Sequence, residues 1–478
     1  MRFLLAASLA LAPVPTLAQT VPEVLAPILA EAGPGTRWGV VVADESGREV
    51  LAINPEARFI PASNTKLYTT AAALWAEAKA AGPGLEESGA TVRLVEADVV
   101  LRGRGDARLS AKPDCVTDCL ATLADAVAAR TRHIRNVIAD ATLFPDQRWS
   151  PGMSWNNIPT GSGTGVAALS IDDNEIAATV TPGAIGAPPI VAMPPYYRVD
   201  NHARTVAGGD EALAFDRAPG GRVLVVTGTL GASHAPVAWK LGVDDPAHYA
   251  AWRFAEMLRA RGVRVTGTLR SGYRPLQPWD DPTLRNTGPI VLEHPRGEIV
   301  ATLTPGSLGE EIGIINKLSQ NLHAELLLRR LGLAGGGSGS IAAGQAVVTA
   351  LLAEAGVEPE QVSLSDGSGM SSYNRVTPRA TVRLLQFAAR QPWAETLRTS
   401  LPVGGVDGTL ARRFIGTPLA GKIFAKTGTL NATNALAGWF TAASGKTFTF
   451  AIYANDVPEN VRATAVMDRT LLAFAGVN

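Results

Sequence analysis

Strand signals sit at both ends of this chain, and that most limits how it can fold. "RWGVVVADES" and "EVLAINPEA", beginning at Arg37 and Glu49, read as two strands joined by a Gly-containing turn. "GKIFAKTGTL", "NALAGWFTAA" and "KTFTFAIYAND" supply three more near the C-terminus, and a final helix signal, "VRATAVMDRTLLAFAG", follows them. A short amphipathic helix, "VPEVLAPILAEAG", precedes the first pair. Strands this far apart share one sheet only if the chain between them leaves and returns at the same place. The pattern therefore predicts one sheet built from both chain ends, flanked by helices, with a large insertion. Insertions succeed where the flanking ends lie close together on a surface.

The stretch from 82 to 289 has the character of that insertion. It is rich in Val, Thr and Gly, with strand-like runs "ADVVLRGRG", "RVLVVTGTL" and "VRVTGTLRSG" and one amphipathic helix, "DDPAHYAAWRFAEMLRARG". From about Ile290 the pattern turns helical: "NKLSQNLHAELLLRRLG", "IAAGQAVVTALLAEAG" and "ATVRLLQFAARQ". The Gly-rich "GLAGGGSGS" between the first two reads as a helix-helix loop. The expected organisation is thus a discontinuous unit, 19–81 with 290–478, around a β-rich insertion at 82–289.

With 478 residues, 46% of them apolar, the chain has ample material for a large core. Lys+Arg and Asp+Glu balance at 43 each, so no basic field exists to hold nucleic acid. Residues 1–18 have the layout of an export signal: Arg2, an apolar run from Phe3 to Ala12, and Thr16-Leu17-Ala18 before a mature start near Gln19. That run is too short to span about 30 Å of hydrocarbon, and Pro13 and Pro15 interrupt it. No later window offers about 20 uninterrupted apolar residues, so no transmembrane segment is expected. Cys115 and Cys119 would then meet an oxidising compartment, where a local disulfide worth about 2 kcal/mol is expected.

The chemistry begins at "IPASNTKLYTT". Ser63 and Lys66 lie three apart where a helix, expected from about Asn64 to Lys79, begins, so both side chains share a face. A lysine that sheds its proton there can act as base for the serine. The pair alone also suits a capping serine and a solvated lysine, and one or two such matches arise by chance in a chain this long. Two further motifs change the balance. Ser319-Gln320-Asn321 lies near the start of a helix signal, and Lys426-Thr427-Gly428-Thr429 lies in a strand signal. Ser-x-x-Lys, Ser-x-Asn and Lys-Thr-Gly, in that order, form the motif set of serine acyl-transferases acting on β-lactams and D-alanyl peptides.

Each residue has a physical task in such a site. Ser63 attacks an acyl carbon and Lys66 takes its proton. Ser319 can pass a proton between Lys66 and the departing amine, and Asn321 can hold the substrate amide. Lys426 places positive charge near a substrate carboxylate and depresses the proton affinity of Lys66, and Thr427 adds a hydrogen bond. Gly428 lets substrate approach the strand. The N–H groups of Ser63 and Thr429 are the expected oxyanion hole, worth roughly 3 to 4 kcal/mol per donor.

With these motifs, the chain resembles the class C low-molecular-mass penicillin-binding proteins, which are D-alanyl-D-alanine carboxypeptidases and endopeptidases. "VLRGRGDARLS", "GVAALSIDDNEI", "LSDGSGMSSYNRVTP" and "LPVGGVDGTLARRF" extend the likeness over nearly all of the mature length. Ala107 stands where the family has proline, Ser372 where it has arginine, and Asn157 where relatives preferring diaminopimelate carry an acid. The resemblance implies an α/β penicillin-binding/serine β-lactamase-like fold, an antiparallel sheet flanked by helices. It also implies peptidoglycan stems ending in D-Ala-D-Ala as substrate, β-lactams as inhibitors, a periplasmic location, and no metal or organic cofactor. Cleavage of the D-alanyl cross-link stays open as a second reaction. A β-lactamase or esterase on the same fold, and a non-catalytic peptidoglycan-binding protein, remain alternatives. The six histidines show no zinc spacing. His323, on the Ser319 helix signal, is expected to pack or to lie on the surface rather than to act in catalysis; Trp149 and Trp155 could line a sugar or peptide cleft, with core packing the expected use.

Overall fold

The structure, a computed structural model, describes residues 21–80, 85, 89–285, 297–335 and 337–477. The expected export signal at 1–18 lies outside the described residues, as do both edges of the expected insertion.

The strands from the two chain ends form one antiparallel sheet of five, in the order Ile423–Leu430, Thr433–Thr441, Thr447–Asn455, Arg37–Ala43, Glu49–Ile53. Its central strands are buried on both faces, and the two-residue period of a strand sorts their side chains. Val40, Val42, Leu436, Phe440, Phe450 and Ile452 face the terminal helices Val21–Ala30 and Ala463–Val477. Val41, Ala43, Ala435, Ala437, Ala451 and Tyr453 face the helices Thr65–Lys79, Asn321–Ala334 and Pro378–Ala388.

The intervening segment builds a second core around a mixed sheet, Leu269–Arg274, Val137–Pro145, Asp98–Arg102, Thr91–Val95, Glu298–Thr302. Val137–Pro145 pairs in parallel with the neighbour on each side. Such pairing needs crossover connections, which the helices Leu120–Arg130 and Pro246–Ala260 help supply. Glu298–Thr302 lies beyond residue 290, yet it pairs with Thr91–Val95, so this sheet recruits a strand from the stretch assigned to the sequence-distant unit. Cys115 and Cys119 form the expected local disulfide, just ahead of the helix Leu120–Arg130.

One helix joins the two cores. Asn321–Ala334 sends Leu322 and Leu326 into the core of the mixed sheet, and Ala324, Leu327, Leu328 and Leu331 into the core beneath the five-stranded sheet. The sequence pattern merges this helix with the residues ahead of it. In the structure a separate helix, Leu308–Lys317, precedes it, and the chain turns between them at Ser319, whose φ is +59°. The Gly-rich stretch after it is the expected loop to the helix Ile341–Glu354. No helix among the described residues is long and apolar enough to cross a membrane.

Candidate active site

The backbone entering the site is pinned to the five-stranded sheet. Ile60 N donates to Asn455 Oδ1 at 2.8 Å, and Asn455 Nδ2 donates back to Ile60 O at 3.2 Å. Ala62 then takes a φ of +46°, and a single 3-10 turn, Ala62–Asn64, leads into the helix Thr65–Lys79. This left-handed step is accommodated by Gly369, itself at φ +90°. A Cβ on Gly369 would lie 1.9 Å from Ala62 O.

Ser63 caps nothing. No side-chain cap bond closes either the turn or the helix start. Its Oγ instead accepts a hydrogen bond from Lys66 Nζ at 3.0 Å. Nor is Lys66 a solvated charge, since it is fully buried. The same amine donates to Asn321 Oδ1 at 2.7 Å and to Ser368 O at 2.6 Å. Burial drives its pKa down to about 7, against the charges of Asp366 and Glu325, which favour the protonated form. Desolvation, rather than the nearby Lys426 expected from sequence, is the dominant cause.

The second amine is held separately. Lys426, also fully buried, donates to Ser319 Oγ and to Thr427 O, each at 2.9 Å. Its pKa is pushed well below the ordinary lysine value by burial and then by Lys66. Asn64 Nδ2 donates to Lys426 O at 2.6 Å, tying the turn that carries Ser63 to this strand. Gly428 lies on the same stretch. A Cβ there would stand 2.6 Å from Pro61 O and 3.1 Å from Ser63 N, so only glycine lets the strand and the Ser63 turn approach this closely. The outer side is lined by hydroxyls. Thr427 Oγ1 shares a 2.7 Å hydrogen bond with Thr409 Oγ1, and Thr429 Oγ1 accepts from Asn434 Nδ2 at 3.4 Å.

All three motifs thus converge, with partners that differ from the expected ones. Ser319 bonds to Lys426, and Asn321 bonds to Lys66. The Asn321 amide nitrogen donates to Ser162 O at 3.0 Å, so a backbone carbonyl of the central segment reaches the centre of the site. Ser162 and Thr409 went unassigned in the sequence, as did the Ser368 carbonyl and the carboxylates of Glu325 and Asp366. Backbone carbonyls carry no side-chain signature. Glu325, in contrast, stands out as an acid inside the apolar run "HAELLL".

His323 packs as expected, with Nε2 2.9 Å from Asp173 Oδ1. Trp149 donates from Nε1 to Gly163 O at 2.9 Å, whereas Trp155 is exposed instead of packed. Ser372, at the position where arginine was expected, donates from its hydroxyl to Gly152 O at 2.9 Å. A hollow of about 470 Å³ lies away from Ser63, lined by Trp75, Leu331 and Val347, and holds none of these groups.

The D-Ala-D-Ala carboxypeptidase 3 (S13) family model matches residues 21–472. A D-alanyl-D-alanine carboxypeptidase from Actinomadura sp. (strain R39) is 35% identical over 432 residues, covering 86% of this chain and 76% of that protein. The carboxypeptidase DacB of Haemophilus influenzae is 25% identical over 444 residues, covering 88% and 86%. The crystal structure of penicillin binding protein 4 (dacB) from H. influenzae superposes with a TM-score of 0.77 at 20% identity, over 94% of this chain and 98% of that one. The same fold is therefore present here.

Proposed function

This chain belongs to the D-Ala-D-Ala carboxypeptidase 3 (S13) family, and from that premise we propose that Ser63 is the nucleophile of an acyl transfer for which Lys66 is the base. The protein is a serine-type D-alanyl-D-alanine carboxypeptidase. The observation that carries the assignment of roles is the buried Lys66 amine, 3.0 Å from Ser63 Oγ, with a pKa drawn down to about 7.

Ser63 Oγ attacks the carbonyl carbon of the penultimate D-alanine, and its proton passes to Lys66 Nζ. The N–H groups of Ser63 and Thr429 receive the developing oxyanion. The C–N bond then breaks. Terminal D-alanine leaves as an amine, taking the proton of the Ser319 hydroxyl, which Lys426 holds in place, and Ser319 regains a proton from Lys66. Water attacks the resulting ester, Lys66 takes the proton that the water gives up and returns it to Ser63 Oγ, and the shortened stem leaves. The hydroxyls of Thr427, Thr409 and Thr429 line the side where a terminal carboxylate would lie, with Lys426 behind them. A carboxylate beside Lys426 would favour its charged form. Asn321, occupied by Lys66 and the Ser162 carbonyl, orients the base.

A β-lactam presents a strained amide to the same serine. The H. influenzae protein has also been crystallised with a β-lactam. Opening of the ring keeps the leaving amine tethered, so the ester on Ser63 persists. We further infer that the reaction takes place outside the cytoplasmic membrane, because peptidoglycan stems are there and the leader pattern at 1–18 supplies a route. Residues 82–289 would be a unit inserted into a catalytic unit formed by 19–81 and 290–478.

The test combines labelling by a fluorescent penicillin with release of D-alanine from a peptide ending in D-Ala-D-Ala. A stable adduct together with D-alanine release is expected. Failure of both removes the acyl-transfer reading, and hydrolysis of the penicilloyl ester at many turnovers per second would identify a β-lactamase instead. A cross-linked dimer of stem peptides, offered in parallel, reads out the endopeptidase reaction.

A further inference from the structure

A second carboxylate is buried behind the base, and the mechanism above does not use it. Glu325, on the first turns of the helix Asn321–Ala334, is only 6% exposed. Its Oε1 accepts hydrogen bonds from Gly367 N and Ser368 N, each at 2.9 Å. Its Oε2 accepts from Arg329 Nη1 at 2.7 Å, and Arg329 Nη2 donates to Gln147 O at 3.0 Å. Ser368 is therefore held from both sides: its N–H by Glu325, and its carbonyl by the Lys66 amine at 2.6 Å.

We propose that Glu325 is a positioning residue for the acyl transfer: it fixes the Ser368 carbonyl against Lys66, and its negative charge keeps the buried amine able to hold a proton. The proposal rests on Lys66 being the base. A base buried without compensation is a poor proton acceptor, because desolvation penalises the form it must become. The charged groups that face Lys66 are few. Lys426 comes from the strand Ile423–Leu430, Asp366 from the loop ahead of Ser368, and Glu325 from the helix that also carries Asn321. Glu325 itself meets Arg329 on its own helix and Asp366 across the loop, and it shares a crevice with Arg148 of the central segment.

Asp366 has a different job. Gly369 N donates to it at 2.9 Å, Ser371 N at 2.7 Å and Asn374 Nδ2 at 2.6 Å, so it shapes its own loop. Its pKa is pushed up to about 6 by burial and then by Glu325. Among the described residues, Glu325 is the side chain that hydrogen-bonds this loop to the helix that delivers Asn321, so it links the elements that supply two of the three acceptors around Lys66.

A plain helix-to-loop staple would lower the amount of folded protein without altering the titration of the base. The experiment therefore measures acylation of the whole protein by a fluorescent penicillin from about pH 5 to pH 9, in wild type, Glu325→Gln and Glu325→Asp. Removing the charge should move the midpoint of the profile down by roughly half a pH unit or more, with a several-fold lower plateau. Glu325→Asp, which keeps the charge but withdraws it, should move the midpoint the same way by less. An unmoved or raised midpoint in folded Glu325→Gln overturns the proposal, whatever the plateau. If Glu325→Gln lacks a cooperative melting transition, Glu325→Asp decides by the same rule. A wild type that forms no adduct fails at the level of the acyl-transfer reading and takes this proposal with it; a wild type that titrates while the variants do not shift fails here alone.

Discussion

Lys426 Nζ donates to Ser319 Oγ across 2.9 Å, linking the strand Ile423–Leu430 to the turn between two helices. Ser319 therefore answers to the second amine, whereas Lys66 bonds to Asn321. If Ser319 delivers the proton to the leaving nitrogen, Ser319→Ala should slow D-alanine release by roughly a hundredfold or more. Single-turnover kinetics with a D-Ala-D-Ala peptide provides the check. A rate within threefold of wild type would remove Ser319 from the proton path.

Ser63→Ala should abolish the covalent penicillin adduct and leave the fold intact, because the Ser63 hydroxyl supports no cap. Intact mass after penicillin treatment, with a melting curve alongside, tests both halves. A full adduct on the Ala variant would falsify the assignment of the nucleophile.

Acylation should rise with pH through a midpoint near 7, set by Lys66. The same depression has a consequence for stability. The folded state releases the Lys66 proton near pH 7, while the unfolded chain keeps it to about 10.5. Between these values the unfolded state holds more protons, so the Lys66 contribution makes stability rise with pH by at most about 1.4 kcal/mol per unit. Lys66→Met should eliminate activity. Its stability relative to wild type should be most favourable at neutral pH and decline towards pH 10. Urea titrations at pH 7 and pH 9 measure the difference, and a constant offset would mean the amine is not held neutral.

Carboxylate recognition can be separated from tuning of the base. A D-Ala-D-Ala substrate and its terminal amide should differ in wild type by roughly ten- to a hundredfold, the worth of a charge-assisted hydrogen bond. Lys426→Ala should erase most of that preference. Thr427→Val, which cuts the pairing with Thr409, should erase part of it. Equal slowing of acid and amide in Lys426→Ala would show that the lysine acts only through its neighbours.

Gly428→Ala places a methyl group 2.6 Å from Pro61 O, a backbone atom that cannot rotate away. The strand or the turn that carries Ser63 must shift, and displacements near 1 Å at a reacting centre cost about a hundredfold. Acylation should fall by about that factor while cooperative melting persists. Unchanged kinetics would show that the gap between strand and serine is not needed.

Much of this site was legible because its spacing is local. Ser63 and Lys66 are one helical turn apart, and the five-stranded sheet follows from alternating strands at the chain ends. The turn at Ser319 was not legible. Its φ of +59° is a tertiary outcome, and the surrounding residues read as one continuous helix. Partner choice was equally hidden, because Ser319 and Asn321 are two residues apart and only the turn aims one at each lysine. Ser368 and Ser162 act through backbone oxygens, which every residue possesses. The alternation that locates the strand at Lys426 gives no hint that its amine is wholly enclosed.

The helix Asn321–Ala334 also bears on how this protein could be cut or recombined. Its apolar side chains are divided between two interiors, with Leu322 and Leu326 on one side and Leu327, Leu328 and Leu331 on the other. Excision of the central segment would leave Leu322 and Leu326 bare and take away the Ser162 carbonyl that steadies Asn321. The central segment is thus not a cassette that can be lifted out to reveal a minimal enzyme. A working miniature would need new polar residues on that helix face and a substitute acceptor for the Asn321 amide, and a graft between relatives would have to carry both sides of the helix together.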